Sequence, residues 1–224
     1  MNRRRKAFNQ GMNVTNEGLT LYDIGKRYDD AHISGCIQTQ EIMSQVNEWL
    51  KDPQGFLILR GNPGTGKTHL AMAIYHLMEE GVADTLEKNK MNPDDAWKFF
   101  HLYSEHHYLS EMKGFWGHEG SNSSGRRIQK ICEVPTLIFD DLGTTNIQYP
   151  WQRDLIQELI NTRYNNCEGA TIITTNFNNE ELRDMIDAKT VDRMNEKGRC
   201  TILEMFGDSR RASPEIFQGN KKKI

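Results

Sequence analysis

The 224-residue sequence has little of several things that would direct it elsewhere. Its four cysteines (Cys36, Cys132, Cys167, Cys200) are far apart and form no C-x-x-C pair, so neither a zinc module nor a disulfide framework is indicated. No apolar run approaches the length needed to cross a bilayer, and the basic start Met1-Asn2-Arg3-Arg4-Arg5-Lys6 lacks a signal-peptide core behind it. A cytoplasmic protein is expected. The net charge of −3 gives no whole-chain attraction to nucleic acid, so any such binding must come from a local basic patch. There is no internal repeat. With 37% apolar and 26% charged residues, the composition is that of an ordinary globular domain.

What is present is a phosphate loop. Gly61-Asn62-Pro63-Gly64-Thr65-Gly66-Lys67-Thr68 meets G-x-x-x-x-G-K-[ST] in full. It follows the apolar run Phe56-Leu57-Ile58-Leu59 and enters a stretch with Leu70, Ala71, Ile74, Leu77 and Met78 on one helix face. Glycines let backbone N–H groups converge on an anion, and the helix dipole adds to the attraction. Lys67 is expected to reach the β- and γ-phosphates of ATP, and the Thr68 hydroxyl to ligate Mg²⁺.

Hydrolysis needs a metal-organising acid and a group that orients water. Leu137-Ile138-Phe139 ends in Asp140-Asp141. At the C-terminal edge of a parallel sheet this places Asp140 to hold hydrated Mg²⁺ and Asp141 to polarise the attacking water. A second apolar strand, Ala170–Thr175, ends at Asn176, which can hydrogen-bond the γ-phosphate or the water. Alternation of strands and helices predicts one open parallel sheet covered on both faces.

Around these motifs, a helix is expected over 39–51 and a loop or short insertion over 81–95. Strands are expected over 97–103, 136–139 and 201–206. Ser104 is expected to cap a helix carrying Tyr108, Leu109 and Met112, and Pro150 to start another with Trp151, Leu155, Leu159 and Ile160. A short helix follows Asn178, and a further helical stretch is expected over 191–195. Residues 1–20 read as a basic arm, 21–212 as the ATPase domain and 213–224 as a lysine-ended tail.

GNPGTGKTHLA (61–71), LIFDDLG (137–143) with an aromatic-led helix ending in Asn161-Thr162-Arg163-Tyr164, and IITTNFNNEEL (172–182) occur in one order. Together they resemble the AAA+ ATPases of the bacterial helicase-loader type (DnaC/DnaI). Insertion-sequence transposition helpers (IstB) share much of the pattern. The resemblance implies a sheet of order 5-1-4-3-2, Asn176 as sensor 1, and Arg193 as an arginine finger reaching a neighbouring subunit's γ-phosphate. It further implies Tyr28 against the adenine and Arg211 as sensor 2, with Arg210 close enough to exchange roles. Lys113, Phe115, Trp116, Arg126, Arg127 and Lys130 would line a path for single-stranded DNA, cations tracking phosphates and rings stacking on bases.

The chain departs from the family in three respects. Asp141 stands where many AAA+ enzymes have Glu, so slow, DNA- or partner-stimulated hydrolysis is expected. No full helical lid is expected after Phe206. The expected N-terminal arm is much shorter than the helicase-binding domain of many loaders. The expected function is ATP-dependent assembly into a homo-oligomer on single-stranded DNA, helping to load a replicative helicase directly or through another replication protein. The rival expectations are a transposition helper acting on duplex DNA and a nucleotide switch that binds no DNA.

Overall fold

The computed structural model describes residues 28–36, 38–114, 123–166 and 169–210. Five parallel strands form one sheet: β1 (Gly55–Arg60), β2 (Phe100–Ser104), β3 (Thr136–Leu142), β4 (Ala170–Thr175) and β5 (Cys200–Glu204). Their spatial order is β2-β3-β4-β1-β5, which is the expected 5-1-4-3-2 read from the other edge. The helices described are α1 (Gln40–Trp49), α2 (Lys67–Lys88), α3 (Glu105–Lys113), α4 (Ser123–Cys132), α5 (Pro150–Asn166), α6 (Asn179–Met185) and α7 (Ala188–Met194).

Strand side chains alternate between faces, and each face has its own core. Leu57, Leu59, Leu102, Ile138, Ile172 and Leu203 pack with Val46 and Trp49 of α1 and with Leu70, Ala71 and Ile74 of α2. Phe56, Ile58, Tyr103, Leu137, Phe139 and Ile173 pack with apolar residues of α3 to α7. Burial on both faces explains why strands such as Ala170–Thr175 read as continuous apolar runs. No helix among the described residues is long and apolar enough to cross a membrane.

Two expectations about elements are corrected. Residues 81–88 are not a loop but the last turns of α2. Ala83 and Leu86 continue its apolar spacing and bury against Ala96. That burial outweighs the ~1 kcal/mol that Gly81 costs inside a helix. The helix stops only at Asn89, where Lys90 turns to a φ of +60°. Residues 97–99 are not strand but the end of a 3₁₀ segment, Pro93–Phe99, begun by Asn92 accepting from Asp94 N–H. Elsewhere the differences are of extent. β3 runs on past Phe139 to Leu142 through a register shift against β4. α7 starts early because the Asp187 side chain accepts from Thr190 N–H.

Candidate functional site

The phosphate loop leaves the C-terminal end of β1 and becomes α2 at Lys67. Gly66, at a φ of +95°, has no side chain with which to cap the helix, so the first-turn N–H groups remain directed at the loop. The buried Lys67 ammonium donates to the Gly61 and Asn62 carbonyls at 2.8 Å each. Thr65 Oγ1 donates to Asn62 O at 2.9 Å, tightening the same turn. Gly64 is required sterically as well as by its φ of +83°, because an added Cβ would stand 2.1 Å from Ser209 Oγ.

Asp140 is the buried acid beside this loop. One of its oxygens accepts from Thr68 Oγ1 at 2.9 Å and from Thr174 Oγ1 at 2.6 Å. Thr174 also accepts from Asp141 N–H at 2.9 Å, so a single hydroxyl ties β4 to both acids. Thr175 Oγ1 donates to Leu142 O at 2.7 Å, and the half-buried Asn176 is the next residue after this tie. Sequence reading passed over Thr174 and Thr175, although their signal was visible: two hydroxyls closing an apolar strand. Thr68 and Asp140 offer a hydroxyl and a carboxylate in hydrogen-bond contact, the hard oxygen donors that suit Mg²⁺ held jointly with phosphates.

Burial, and then the Asp141 charge, push the Asp140 carboxyl up from 3.8 to about 6, against the Thr174, Thr68 and Lys67 contacts that pull it down. The folded chain therefore holds this proton more tightly than the unfolded chain does. The resulting stabilisation is complete below pH 3.8 and is lost as pH rises through about 6. Asp140→Asn keeps an oxygen for both threonines and removes the buried charge. In thermal melts without nucleotide it is expected to be more stable than the parent by roughly 1–3 kcal/mol at neutral pH. The gap should close towards pH 4. A variant less stable at neutral pH would contradict the assignment of strain to this carboxylate.

The segment after β5 crosses the phosphate loop. Arg210 N–H donates to Gly64 O at 3.0 Å, and its guanidinium donates to Gln38 Oε1 at 3.3 Å. Gln38 in turn donates to Thr65 O at 3.5 Å. Arg210 is thus the arginine that the described residues bring to the loop, while Arg211 lies outside them. Tyr28 lies edge-on to His69 at 6.1 Å, and its carbonyl contacts His76 Nε2 at 3.2 Å, against α2. Burial, followed by the Arg210 charge, lowers the His69 pKa below its usual range.

Arg193 lies in the last turn of α7. Its guanidinium donates to Asn161 Oδ1 and sits 5.1 Å from the Tyr164 ring, both on α5. Arg199 lies 4.9 Å from the same ring. The candidate DNA cations divide. Lys113, Arg126 and Lys130 are exposed. Arg127 turns inward, donating to Glu111 Oε1 at 2.6 Å and to Tyr103 Oη at 3.2 Å. Helical spacing carried this signal, because Arg127 precedes the buried Ile131 by four positions whereas Arg126 and Lys130 share the opposite side. Phe115 and Trp116 lie outside the described residues.

No family model matches the chain. The curated "Replicative helicase loader DnaC" of Escherichia coli K12 is 23% identical over 163 residues, covering 71% of this chain and 59% of that protein. The chain therefore spans about three-fifths of that relative's length. Among solved structures, a DnaC helicase loader matches with a TM-score of 0.59 at 22% identity, covering 80% of this chain and 99% of that one. The replication initiator DnaA, solved with AMPPCP and single-stranded DNA, matches with a TM-score of 0.56 at 18% identity, covering 80% and 50%.

Proposed function

We propose that this chain, which has the AAA+ fold and is similar in sequence to the DnaC-type helicase loaders, is an ATPase that assembles on single-stranded DNA and helps load a replicative helicase. The observation that carries the reading is the linkage of Thr68, Asp140 and Thr174 beside a complete phosphate loop. A chance glycine turn would not bring a buried carboxylate from a different strand onto the residue after its lysine. Lys67 and the loop N–H groups bind the triphosphate, Asp141 orients the attacking water, and Asn176 reads the γ-phosphate. Thr68 and Asp140 would hold Mg²⁺, which would supply charge neutralisation to the bound phosphates. Arg210 takes the cis-arginine role, its backbone bonded to the loop and its guanidinium held by Gln38. The Arg193 guanidinium has its described contacts on α5 and not on its own phosphate loop, as suits a finger for a neighbouring subunit.

DNA contact falls to the exposed Lys113, Arg126 and Lys130, with Phe115 and Trp116 as the stacking residues. Arg127 serves instead as the brace between α3 and α4. The test is assembly and turnover with ATP and either single-stranded or duplex DNA, repeated against salt. Single-stranded DNA is expected to stimulate both, with binding that weakens steeply as salt rises. Stimulation by duplex alone would favour a transposition helper, and no DNA binding at low salt would favour a nucleotide switch. Lys67→Ala is the internal control, expected to weaken ATP binding by about 10–100-fold through loss of charge-assisted bonds to phosphate. ATP affinity equal to the parent's would overturn the site.

A further inference from the structure

Glu105 opens α3, and its side chain is fully enclosed, 0% exposed. A carboxylate tolerates such a place only when its oxygens are satisfied. Here Gly143 N–H donates to Oε2 and Thr145 N–H donates to Oε1 at 3.3 Å. Both N–H groups belong to the turn that follows Asp140-Asp141. In that turn Asp141 has a φ of +59°, a left-handed conformation that few residues with a side chain adopt. Thr144 closes the turn back onto Asp141 O, through its N–H at 3.1 Å and its hydroxyl at 2.8 Å. Phe177 presses from the other side, since a Cβ on Gly143 would stand 2.8 Å from its ring.

A conformation of this kind costs about 1–3 kcal/mol and persists only where its surroundings over-determine it. Thr174 and Thr175 hold the start of the turn from β4, at Asp141 N–H and Leu142 O, and Glu105 holds its far side, reaching it from 38 residues away in sequence. Burial raises its carboxyl pKa above the usual range, with the Asp141 charge adding to the rise, while the Gly143 and Thr145 donors of the turn offset part of it. Its described partners lie in the turn and not in the phosphate loop.

We infer that Glu105 is a positioning residue whose carboxylate holds the turn 141–145 so that Asp141 keeps the conformation from which it orients the attacking water. This rests on the ATPase reading above. Glu105 acts through Asp141 and touches no reacting atom.

The test compares Glu105→Gln and Glu105→Ala, each alone and in an Asp141→Asn background, by ATP turnover and by equilibrium binding of a fluorescent ATP analogue. Glutamine retains one of the two acceptors and the side-chain volume. Both variants are expected to bind the analogue within about twofold of the parent while kcat falls by about 10–100-fold, less for glutamine. In the Asp141→Asn background neither is expected to lower the residual rate further, because both changes remove one function. Unchanged kcat in the single variants would overturn the inference. So would binding and kcat falling together in both of them, which marks a purely structural residue, or losses that multiply in the double variants. A parent chain that binds the analogue but never turns ATP over sinks the hydrolysis reading itself, and with it the role of Glu105. A parent that turns over, with variants that match it, sinks only the role of Glu105.

Discussion

Arg193→Ala is expected to lower DNA-stimulated ATP turnover by about three orders of magnitude while leaving ATP binding by the single chain within about twofold. The acids nearest Arg193 in sequence, Asp192 and Glu196, are the obvious partners for a purely local ion pair. Both are engaged otherwise: Asp192 accepts from Arg183 at 2.8 Å, and Glu196 accepts from the Tyr164 hydroxyl. Arg193 holds instead a neutral amide oxygen and an aromatic face. Such contacts aim a guanidinium without neutralising it. Leaving them costs about 1–2 kcal/mol, against about 4 kcal/mol for a thousandfold rate effect, so the transition state wins. A planar cation delivered to the transferring phosphoryl group can supply that much.

Mixing variants separates trans from cis action. Lys67→Ala keeps the arginine and loses the pocket, while Arg193→Ala keeps the pocket and loses the arginine. Mixed interfaces pair one intact half from each, so a mixture of the two inactive proteins is expected to recover measurable turnover. No recovery in a mixture that still assembles would place Arg193 outside the trans role. Full activity of Arg193→Ala alone would remove it from the chemistry altogether.

What was legible in the sequence is mostly what depends on local order. The phosphate loop, the strand into Asp140, the β4 boundaries and the Asn178 cap each declare themselves within a dozen residues, and the sheet order follows once the family resemblance is drawn. What was not legible depends on contacts between distant segments. Glu105 reads as an ordinary first-turn acid until Gly143 and Thr145 are seen against it. Arg127 reads as one of a basic pair until Glu111 and Tyr103 claim it. Arg210 could not be preferred over Arg211 without the return of the chain across Gly64. The misread end of α2 has a different origin. Gly81 and a polar surface hid apolar spacing whose partner, Ala96, comes from the following 3₁₀ segment. Propensity was overruled there by packing.

Arg163→Ala is expected to destabilise the chain by about 3–5 kcal/mol, the largest stability effect of any single change considered. Arg163 is 2% exposed near the end of α5. Its guanidinium donates to Cys132 O at 3.0 Å, Val134 O at 2.7 Å, Pro135 O at 3.4 Å, Ala170 O and Thr171 Oγ1 at 2.8 Å. Those acceptors belong to the approach to β3 and the start of β4, so one side chain ties the N-terminal ends of two central strands to the helix packed over them. Truncation leaves several carbonyls without this donor, at about 1–3 kcal/mol for each that stays buried, together with a cavity the size of the lost side chain. Relief from burying the cation offsets part of that loss, which keeps the net below the plain sum. Arg163→Lys restores a charge but not a planar fork, and is expected to recover less than half of the stability. Urea unfolding should show a lower midpoint at an unchanged slope, the sign of lost stability rather than an altered unfolded state. The phosphate loop leaves the opposite, C-terminal edge of the sheet, so the folded fraction of Arg163→Ala is expected to bind ATP as the parent does. A loss under about 1 kcal/mol would mean that water or neighbouring donors replace the guanidinium freely.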